Sequence, residues 1–369
     1  MMAAMALPAM GGELTYTTDA NGNTLWNVGA IKESDFVNID DTYGYRNYWN
    51  NRATYKGDLV LDGSDRLGIY DAAGNLIQST ENGSDVLKCA FGSGVWDITN
   101  KKWATAPGNP VTYCLDLTGN LHIKGDARVA LGGQFKVNTG ATYDYYGGIK
   151  ATSVTIDGTG SGVHLEAAMS QIGTLTMNSG TAHIHHDTHY NGGNSGSQWA
   201  GSSGSMKMAE VQTALYMNGG TLYMGRNGQS ATSTTSHFIN NLNGIVEQKG
   251  GNLVVTGKTI LNANIVQSGG SMTVGNGSMI KLSRNASKTI TQTGDSEDTS
   301  LTIGQFIEFG TPTTLFKDND KAQLIVEQKG KGTISFTNGV TFKTKDPATT
   351  ASTITQSGGG KINLSGSFS

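Results

Sequence analysis

Four of the seven histidines lie in one short stretch, "HIHHDTHY" at residues 183–190. If Ala182–His186 is a strand, His183 and His185 lie on one face of it, because successive side chains alternate between faces. Neutral imidazoles at that spacing can bind a divalent transition metal, with His189 arriving from the following turn. The alternative is a polar, solvent-facing strand that leads into a loop. His183, His185 and His189 are therefore candidate metal ligands.

Carboxylates are the second group that could do chemistry, in acidic clusters at residues 295–298 and 318–320. Cleavage of polysaccharides needs two or three carboxylates, or carboxylates with a Lys or Arg base, gathered on one face. Both clusters fall in predicted loops and share no regular register. We therefore expect no enzymatic activity and no cofactor, with a polysaccharide-degrading activity as the alternative.

Aromatic side chains beside Arg and Asn could stack on sugar rings or form a protein interface. They occur in "YGYRNYWNNRATY" from Tyr43 and "YDYYGG" from Tyr143. The alternative is that they form the core of the N-terminal region. The candidates for glycan or interface contacts are Tyr43, Tyr45, Tyr48, Trp49, Tyr145 and Tyr146.

Two cysteines, Cys89 and Cys114, are too few and too far apart for a zinc knuckle. They predict one disulfide in an oxidising compartment, with two free thiols as the alternative. Residues 1–11 are either an apolar arm or the remnant of an export signal, because Ala4 and Ala6 fit the A-x-A form of a signal-peptidase site. These features favour an extracellular or cell-surface location.

Composition limits the possible partners and the fold. The net charge of -3 offers no basic face for nucleic acid, and no stretch approaches the roughly 20 apolar residues of a membrane span. Glycine is frequent, at 52 of 369 residues. Short runs that alternate apolar and polar residues, separated by Gly, Asn, Asp and Ser, recur throughout and predict an all-β protein.

The elements that would position these residues are repeats. The hexapeptide "IVEQKG" occurs at residues 245–250 and 325–330, within a looser pattern in which Ile or Val stands two residues before Gln and Gly two residues after it. The spacing of 36 residues between Gln292 and Gln328 predicts two turns of the repeat between them. Upstream, "LTMNSG" and "LYMNGG" resemble the pattern with Asn in place of Gln. The repeated glutamines are Gln248, Gln267, Gln292, Gln328 and Gln356.

A single repeat is too short to bury its apolar side alone. The repeats must therefore stack in parallel, about 4.8 Å apart. Stacked glutamines would form amide ladders, and glycines would occupy the corners. The predicted fold is a parallel β-helix, or β-solenoid, of about a dozen turns over residues 112–369. The twin hexapeptides should lie three or four turns apart. Residues 12–111 hold four of the five tryptophans and hairpin signals, which predict an antiparallel β cap region.

With its Gly-Gly corners and the rhythm of "IVQSGGSMTVGNGSMIKLS" from Ile265, the region 170–369 resembles the passenger regions of bacterial autotransporter adhesins and related extracellular right-handed β-helix proteins. That resemblance implies secretion, a stiff stalk, and adhesion or matrix formation. A shorter stretch, "LTGNLHIKGDARVALGGQFKVNTGA" from Leu117, is similar to phage tail fibres and tailspikes, which implies carbohydrate binding or cleavage as the alternative.

The last repeat, "STITQSGGGKINLSGS" from Ser352, would present a free strand edge. Pairing of that edge with the N-terminal region of another copy would join subunits head to tail into a filament. The expected partners are therefore other copies of the chain, or host or matrix glycans.

Overall fold

The computed structural model describes eighteen parts of the chain, namely residues 15–18, 24–27, 52–55, 57–68, 95–97, 102–104, 114–130, 133–136, 142–145, 148–167, 169–184, 207–225, 239–256, 258–275, 279–280, 287–304, 323–337 and 352–366.

Within those parts the chain forms strands and turns, without a helix. In chain order the strands are β1 (Thr15–Thr18), β2 (Thr24–Asn27), β3 (Arg52–Tyr55), β4 (Leu59–Leu61), β5 (Arg66–Gly68), β6 (Val95–Asp97), β7 (Lys102–Ala104), β8 (Cys114–Leu117), β9 (Asn120–Gly125), β10 (Arg128–Ala130), β11 (Gly133–Lys136), β12 (Thr142–Tyr145), β13 (Gly148–Gly158), β14 (Leu165–Ala167), β15 (Met169–Ser179), β16 (Thr181–Ile184), β17 (Lys207–Met217), β18 (Thr221–Met224), β19 (Ile239–Gln248), β20 (Asn252–Val255), β21 (Lys258–Gln267), β22 (Ser271–Val274), β23 (Met279–Ile280), β24 (Ser287–Gln292), β25 (Ser300–Ile303), β26 (Gln323–Gln328), β27 (Thr333–Phe336), β28 (Thr353–Gln356) and β29 (Lys361–Leu364).

Most of these strands form a stack of coils, in which each strand pairs in parallel with its equivalents in the neighbouring coils. In the first coil β3, β4 and β5 lie along three successive sides, and they pair with β8, β9 and β10 of the second. From the third to the seventh coil a long strand such as β13 covers the first two sides, and a short strand such as β14 covers the third. The described residues form ten such coils, which end with β28 and β29. The predicted all-β parallel β-helix is confirmed.

Side chains alternate between the inside and the outside of the stack. In β22, for example, Met272 and Val274 are buried, while Ser271 and Thr273 are half-buried and point outward. The inward residues form columns along the rod and one continuous core cluster. Each fully buried aliphatic side chain contributes about 1.5–3 kcal/mol relative to an exposed one. Stacking therefore supplies the stabilisation that a single repeat cannot provide.

Glycines form the corner between the second and third sides. In three successive coils the last corner residue has a positive φ, which is 69° at Gly220, 72° at Gly251 and 74° at Gly270. A Cβ atom at Gly270 would lie 2.4 Å from the carbonyl oxygen of Gly251 in the preceding coil. The corner thus requires glycine both for its backbone angle and for the close approach of the coils.

The parallel stack begins upstream of the expected boundary at residue 112. Strands β3, β4 and β5 lie inside the region predicted as an antiparallel cap, yet they pair in parallel with the second coil. The buried leucines of β4 and β5 continue the same inward columns. Antiparallel pairs are present as β1–β2 and β6–β7, and β6 also pairs with β12 from beyond that boundary. A compact N-terminal cap stays a prediction.

Nine described coils follow residue 112, where about a dozen were expected. The 36-residue step from Gln292 to Gln328 is one coil and not two, since these residues are paired neighbours. The additional residues, 305–322, connect the third side of one coil to the first side of the following coil. The segments that connect a third side to the next first side range from the single residue 168 to residues 69–113. Long connections are tolerated there because the entropy cost of closing a loop rises slowly with its length.

Candidate functional site

A column of glutamine side chains runs through the core at the end of the second side. Gln267 donates from Nε2 to Oε1 of Gln248 at 3.0 Å, Gln292 to Gln267 at 2.7 Å, and Gln328 to Gln292 at 3.1 Å. All four side chains are fully buried. Amides can continue such a ladder because each carries both a donor and an acceptor.

The spacing Gln-x-Gly follows from the corner that these side chains support. Gln248 donates from Nε2 to the carbonyl oxygens of Gly250 and Gly251 in its own corner, at 3.3 and 3.2 Å. It also reaches the carbonyl of Ser271 in the next coil at 2.8 Å. Buried backbone carbonyls need such partners. The glutamine is thus a structural residue that ties each corner to the coil above it.

The column ends in a buried oxygen without a partner. Gln328 Oε1 is buried and accepts no hydrogen bond. Gln356 lies beside Gln328 in the strand register, and its Nε2 donates to the carbonyl of Gly360 at 2.5 Å, the same corner contact that Gln328 makes with Gly332. Gln356 is also exposed, unlike the other four glutamines. The last coil is therefore the place where the ladder is incomplete.

Upstream, methionine and not asparagine occupies the glutamine column. Met177, Met217 and Gln248 are paired in register, while Asn178 and Asn218 lie one position later and are exposed. Asn218 donates from Nδ2 to Oδ1 of Asn178 at 2.8 Å and so forms a second ladder on the outside. The prediction that these asparagines occupy the glutamine position was wrong, because they lie one residue after it. Alignment on the Gly-Gly pairs would have placed the methionines correctly.

Comparisons with known proteins do not identify the chain. No family model, no curated protein and no solved structure matches it. The resemblance to adhesin passengers and to tail fibres consequently stays a prediction. Its functional interpretation has to come from the residues themselves.

Of the predicted metal ligands, His183 lies in the described part of the chain and points outward from the third side. It is in register with Glu166 of the coil before and Tyr223 of the coil after. Its ring makes an edge contact with Tyr223, with centroids 5.0 Å apart and planes at 84°. His185 and His189 lie outside the described residues. Among the described residues no group of three or more His, Cys, Asp and Glu side chains could hold a metal ion.

A polar cluster that the sequence did not reveal covers the corner of the first three coils. Arg66 donates from Nη2 to Oδ2 of Asp126 at 3.1 Å and from Nη1 to the carbonyl of Asp126 at 2.7 Å. Arg128 also pairs with Asp126, and it donates to the carbonyl of Ser161 at 2.5 Å. Burial alone would raise the pKa of Asp126, but the hydrogen bonds and charges of the two arginines outweigh it and lower that pKa. The sequence feature that could have revealed this cluster is the similarity of "DRL" at residues 65–67 to "DARV" at residues 126–129.

On the outer face of the second side, His122 pairs with Asp157, and Asn178 donates to Oδ1 of Asp157 at 2.7 Å. Burial, the largest single effect, acts to raise the pKa of Asp157. The hydrogen bonds from His122 and Asn178 together reverse this and lower the pKa. Lys124 binds Asp62 of the preceding coil, with 3.0 Å between Nζ and Oδ2. These polar groups therefore connect successive coils to one another.

His164 is a buried histidine that the sequence did not single out. Its Nδ1 accepts from the backbone N–H of Thr181 at 3.2 Å, so its Nε2 carries the proton and donates to the carbonyl of Thr159 at 2.8 Å. Burial lowers the pKa of His164 and keeps the ring neutral. The imidazole fills the corner beneath Gly180, and it supports that corner in place of the glutamine of later coils.

Several other candidates lie outside the described residues, so their roles stay predictions. Cys89 and residues 1–11 are among them, and the side chain of Cys114 in β8 is also not described. Nothing therefore bears on the predicted disulfide. The aromatic candidates that lie outside the described part of the chain are Tyr43, Tyr45, Tyr48, Trp49, Tyr146 and the side chain of Tyr145.

No helix in the described part of the chain is long and apolar enough to cross a membrane.

Proposed function

We propose that this protein is an extracellular structural rod, which acts as a surface adhesin or as a subunit of a filament or surface matrix. The observation that carries the proposal is the internal ladder of four buried glutamines, in which each side chain is hydrogen-bonded to the glutamine of an adjacent coil. These amides are used to hold coils in register, which is a mechanical role. Ten coils at about 4.8 Å per coil extend for roughly 43 Å between the first and the last.

The outer polar residues support the same proposal. Lys124 and Asp62, His122 and Asp157, and the two asparagines of the outer ladder all bond across neighbouring coils. Their hydrogen-bonding groups serve contacts within the rod. A surface that is occupied in this way resists separation of the coils and suits a stalk that keeps its two ends apart.

The test of the structural role is the shape and rigidity of the purified chain. Small-angle scattering should give an elongated particle, and single-molecule pulling along the axis should show resistance at the described coils. A particle with the dimensions of a compact sphere would contradict the proposal. Incubation with a panel of acidic polysaccharides tests the alternative of an enzyme, because release of products would favour it.

Secretion is the second part of this proposal and has a separate test. The Ala4 to Ala6 motif predicts cleavage near residue 7 during export. Fractionation of the native cells followed by mass spectrometry of the intact chain would detect the protein outside the cell and define its N-terminus. Recovery in the cytosolic fraction alone would contradict the extracellular location.

Carbohydrate binding is a second candidate function, supported by Tyr223. Its side chain is 43% exposed and is oriented by the ring of His183. The outward neighbours of Tyr223 on the third side, Val254 and Thr273, carry no charge. An exposed aromatic ring with uncharged neighbours in the coils that follow it suits a neutral sugar. A glycan array should lose its signal with Tyr223→Ala and keep it with the matched outward variant Thr302→Ala; no binding by the parent chain would exclude this candidate.

A further inference from the structure

One lysine of the rod starts in an inward column. Ile290 of β24 is paired in register with Ile265 of β21, and both side chains are buried in the core. Successive side chains of a strand alternate between its faces, so Lys288, two residues before Ile290, starts on the same inward face. The register places it between Ala263 and Leu324, which are both buried. Lys288 thus occupies a position that the adjacent coils fill with aliphatic side chains.

The amine of Lys288 is held by a neutral partner. Its Nζ donates to the backbone carbonyl oxygen of Asn262 in the preceding coil at 3.1 Å, and its side chain is half-buried. Residues 262–264 of β21 and 323–325 of β26 flank Lys288, and none of them is titratable. Among the described residues no carboxylate pairs with this amine. By contrast, Lys249 contacts Glu247 at 2.8 Å.

These two environments act on the amines in opposite directions. Burial lowers the pKa of Lys288, because the ammonium loses hydration that one carbonyl oxygen does not replace. The hydrogen bond and the charge of Glu247 raise the pKa of Lys249. The proton therefore leaves Lys288 more readily than Lys249. Only the unprotonated amine has the lone pair that attacks an electrophile, and desolvated lysines are the ones that form imines with carbonyl compounds.

We propose that Lys288 is a covalent binding site for small aldehydes, which the rod holds as an imine. This inference goes beyond the mechanical role and does not depend on it. The amine adds its lone pair to the carbonyl carbon, so that a C–N bond forms and the carbonyl oxygen becomes a hydroxyl. That hydroxyl then leaves as water with the remaining N–H hydrogen, and a C=N bond forms. The step consumes no oxidant and no reductant.

The position of Lys288 also favours the product of this reaction. An ammonium group in a half-buried site carries a charge that is costly to remove from water, whereas a neutral imine carries none. The methylene groups of the side chain stay in the aliphatic column, so the reaction changes only the end of the side chain. The partial exposure of Lys288 gives a small reagent access to Nζ.

The test is trace labelling of the folded full chain at neutral pH with formaldehyde and cyanoborohydride, which reduces the imine to a stable methylamine. Mass spectrometry of the peptides gives the labelling rate of each lysine. We expect Lys288 to react several-fold faster than Lys331 and Lys361, which are exposed, and its rate to reach a plateau at lower pH. A rate at Lys288 equal to or below that of the exposed lysines would overturn the inference.

Unfolding the chain in urea is the first control. The preference arises from the position of Lys288 in the coil stack, so it should disappear when the stack unfolds. A preference that persists in urea would assign it to the local sequence and contradict the inference. An elongated particle in which Lys288 shows no preference would exclude the aldehyde site and leave the proposed rod intact.

Two variants provide the second control. Lys288→Arg removes the amine and should abolish the fastest phase of label uptake by the folded chain. Lys329→Arg removes an exposed lysine that pairs with Glu327, and it should keep that phase. An equal loss in both variants would contradict the assignment. Circular dichroism verifies that each variant is folded, and if Lys288→Arg does not fold, the rates at each lysine of the parent chain decide.

Discussion

Gln292 donates from its Nε2 to Oε1 of Gln267 at 2.7 Å, from one coil to the next, in the fully buried core of the rod. The same Nε2 reaches the carbonyl of Thr333 in the following coil at 3.1 Å. One side chain therefore connects three successive coils. Replacement of Gln292 should therefore disturb the packing of the two neighbouring coils as well as its own.

The first prediction concerns that residue. Gln292→Leu would remove the donor to Gln267 and the acceptor of Gln328, and it would leave buried polar groups unsatisfied. Each such group costs about 1–3 kcal/mol, so we expect a loss of about 3 kcal/mol. Urea unfolding followed by circular dichroism measures it. Thr302→Val, on the outer face, is the control and should change the midpoint little; equal midpoints for both variants would show that the ladder does not stabilise the rod.

The second prediction separates two reasons for glycine at a corner. Gly63 has φ of 58°, and a Cβ added there would meet no atom within 4 Å, whereas at Gly270, with φ of 74°, a Cβ would lie 2.4 Å from a backbone oxygen. Gly63→Ala should therefore cost only the left-handed backbone penalty of about 1 kcal/mol. Gly270→Ala should cost clearly more, because the coils must also separate. Thermal unfolding of the two variants compares these costs, and a larger effect at Gly63 would contradict the argument.

The third prediction is a pH dependence that arises from His164. Its pKa is lowered in the folded rod by burial, relative to about 6.5 in the unfolded chain. The unfolded chain therefore binds the proton more readily, so stability is fully present above about pH 6.5 and falls as the pH drops below that value. Urea midpoints between neutral and mildly acidic pH measure the slope.

The variant His164→Gln is the control for that slope. It removes the titrating group, so its stability should depend less on pH in the same range, whatever its absolute value. A slope equal to that of the parent chain would assign the dependence to other groups. Asp126 and Asp157, whose pKa values are lowered in the fold, contribute at more acidic pH, because their stabilisation is lost as carboxylates protonate.

The fourth prediction concerns the twin hexapeptides. Glu247 pairs with Lys249 and Glu327 with Lys329, each at 2.8 Å, on equivalent coils three steps apart. Both lysines are exposed. Pairs of this kind contribute little in water, so Lys249→Ala should leave the unfolding midpoint unchanged at moderate salt. A clear loss of stability would show that the outer charges take part in holding the coils.

The fold could be predicted because its cause is local and repeated. Alternation of apolar and polar residues fixes which side chains point inward, and Gln-x-Gly fixes a corner, so the sequence alone indicates stacked coils. The number of coils was overestimated because long segments at one corner have no repeat signal, as between Ile303 and Gln323. The Asp126 cluster was missed because its sequence signal, the similarity of residues 65–67 to residues 126–129, is short, and because its members meet only through the stacking of coils.

The candidate site was less predictable than the fold. Recurrence of glutamine indicated a ladder, but the sequence pattern treats Gln356 like the other four, whereas its side chain is exposed and Gln328 Oε1 has no partner. Likewise, His164 is one isolated histidine whose importance comes from its burial. The outer contact between His183 and Tyr223 joins residues forty positions apart and has no signature in either segment.

Four long connections of the rod leave from one line of residues. Ile184, Met224, Ile303 and Phe336 end their third-side strands in the same inward column, and the segments that follow them range in length from residues 225–238 to residues 185–206. Insertions at these points leave the register of every strand unchanged. The chain can therefore acquire new surface loops during evolution, or accept grafted epitopes in the laboratory, at these four positions. Such loops would lie in one row along the rod, separated by whole numbers of coils.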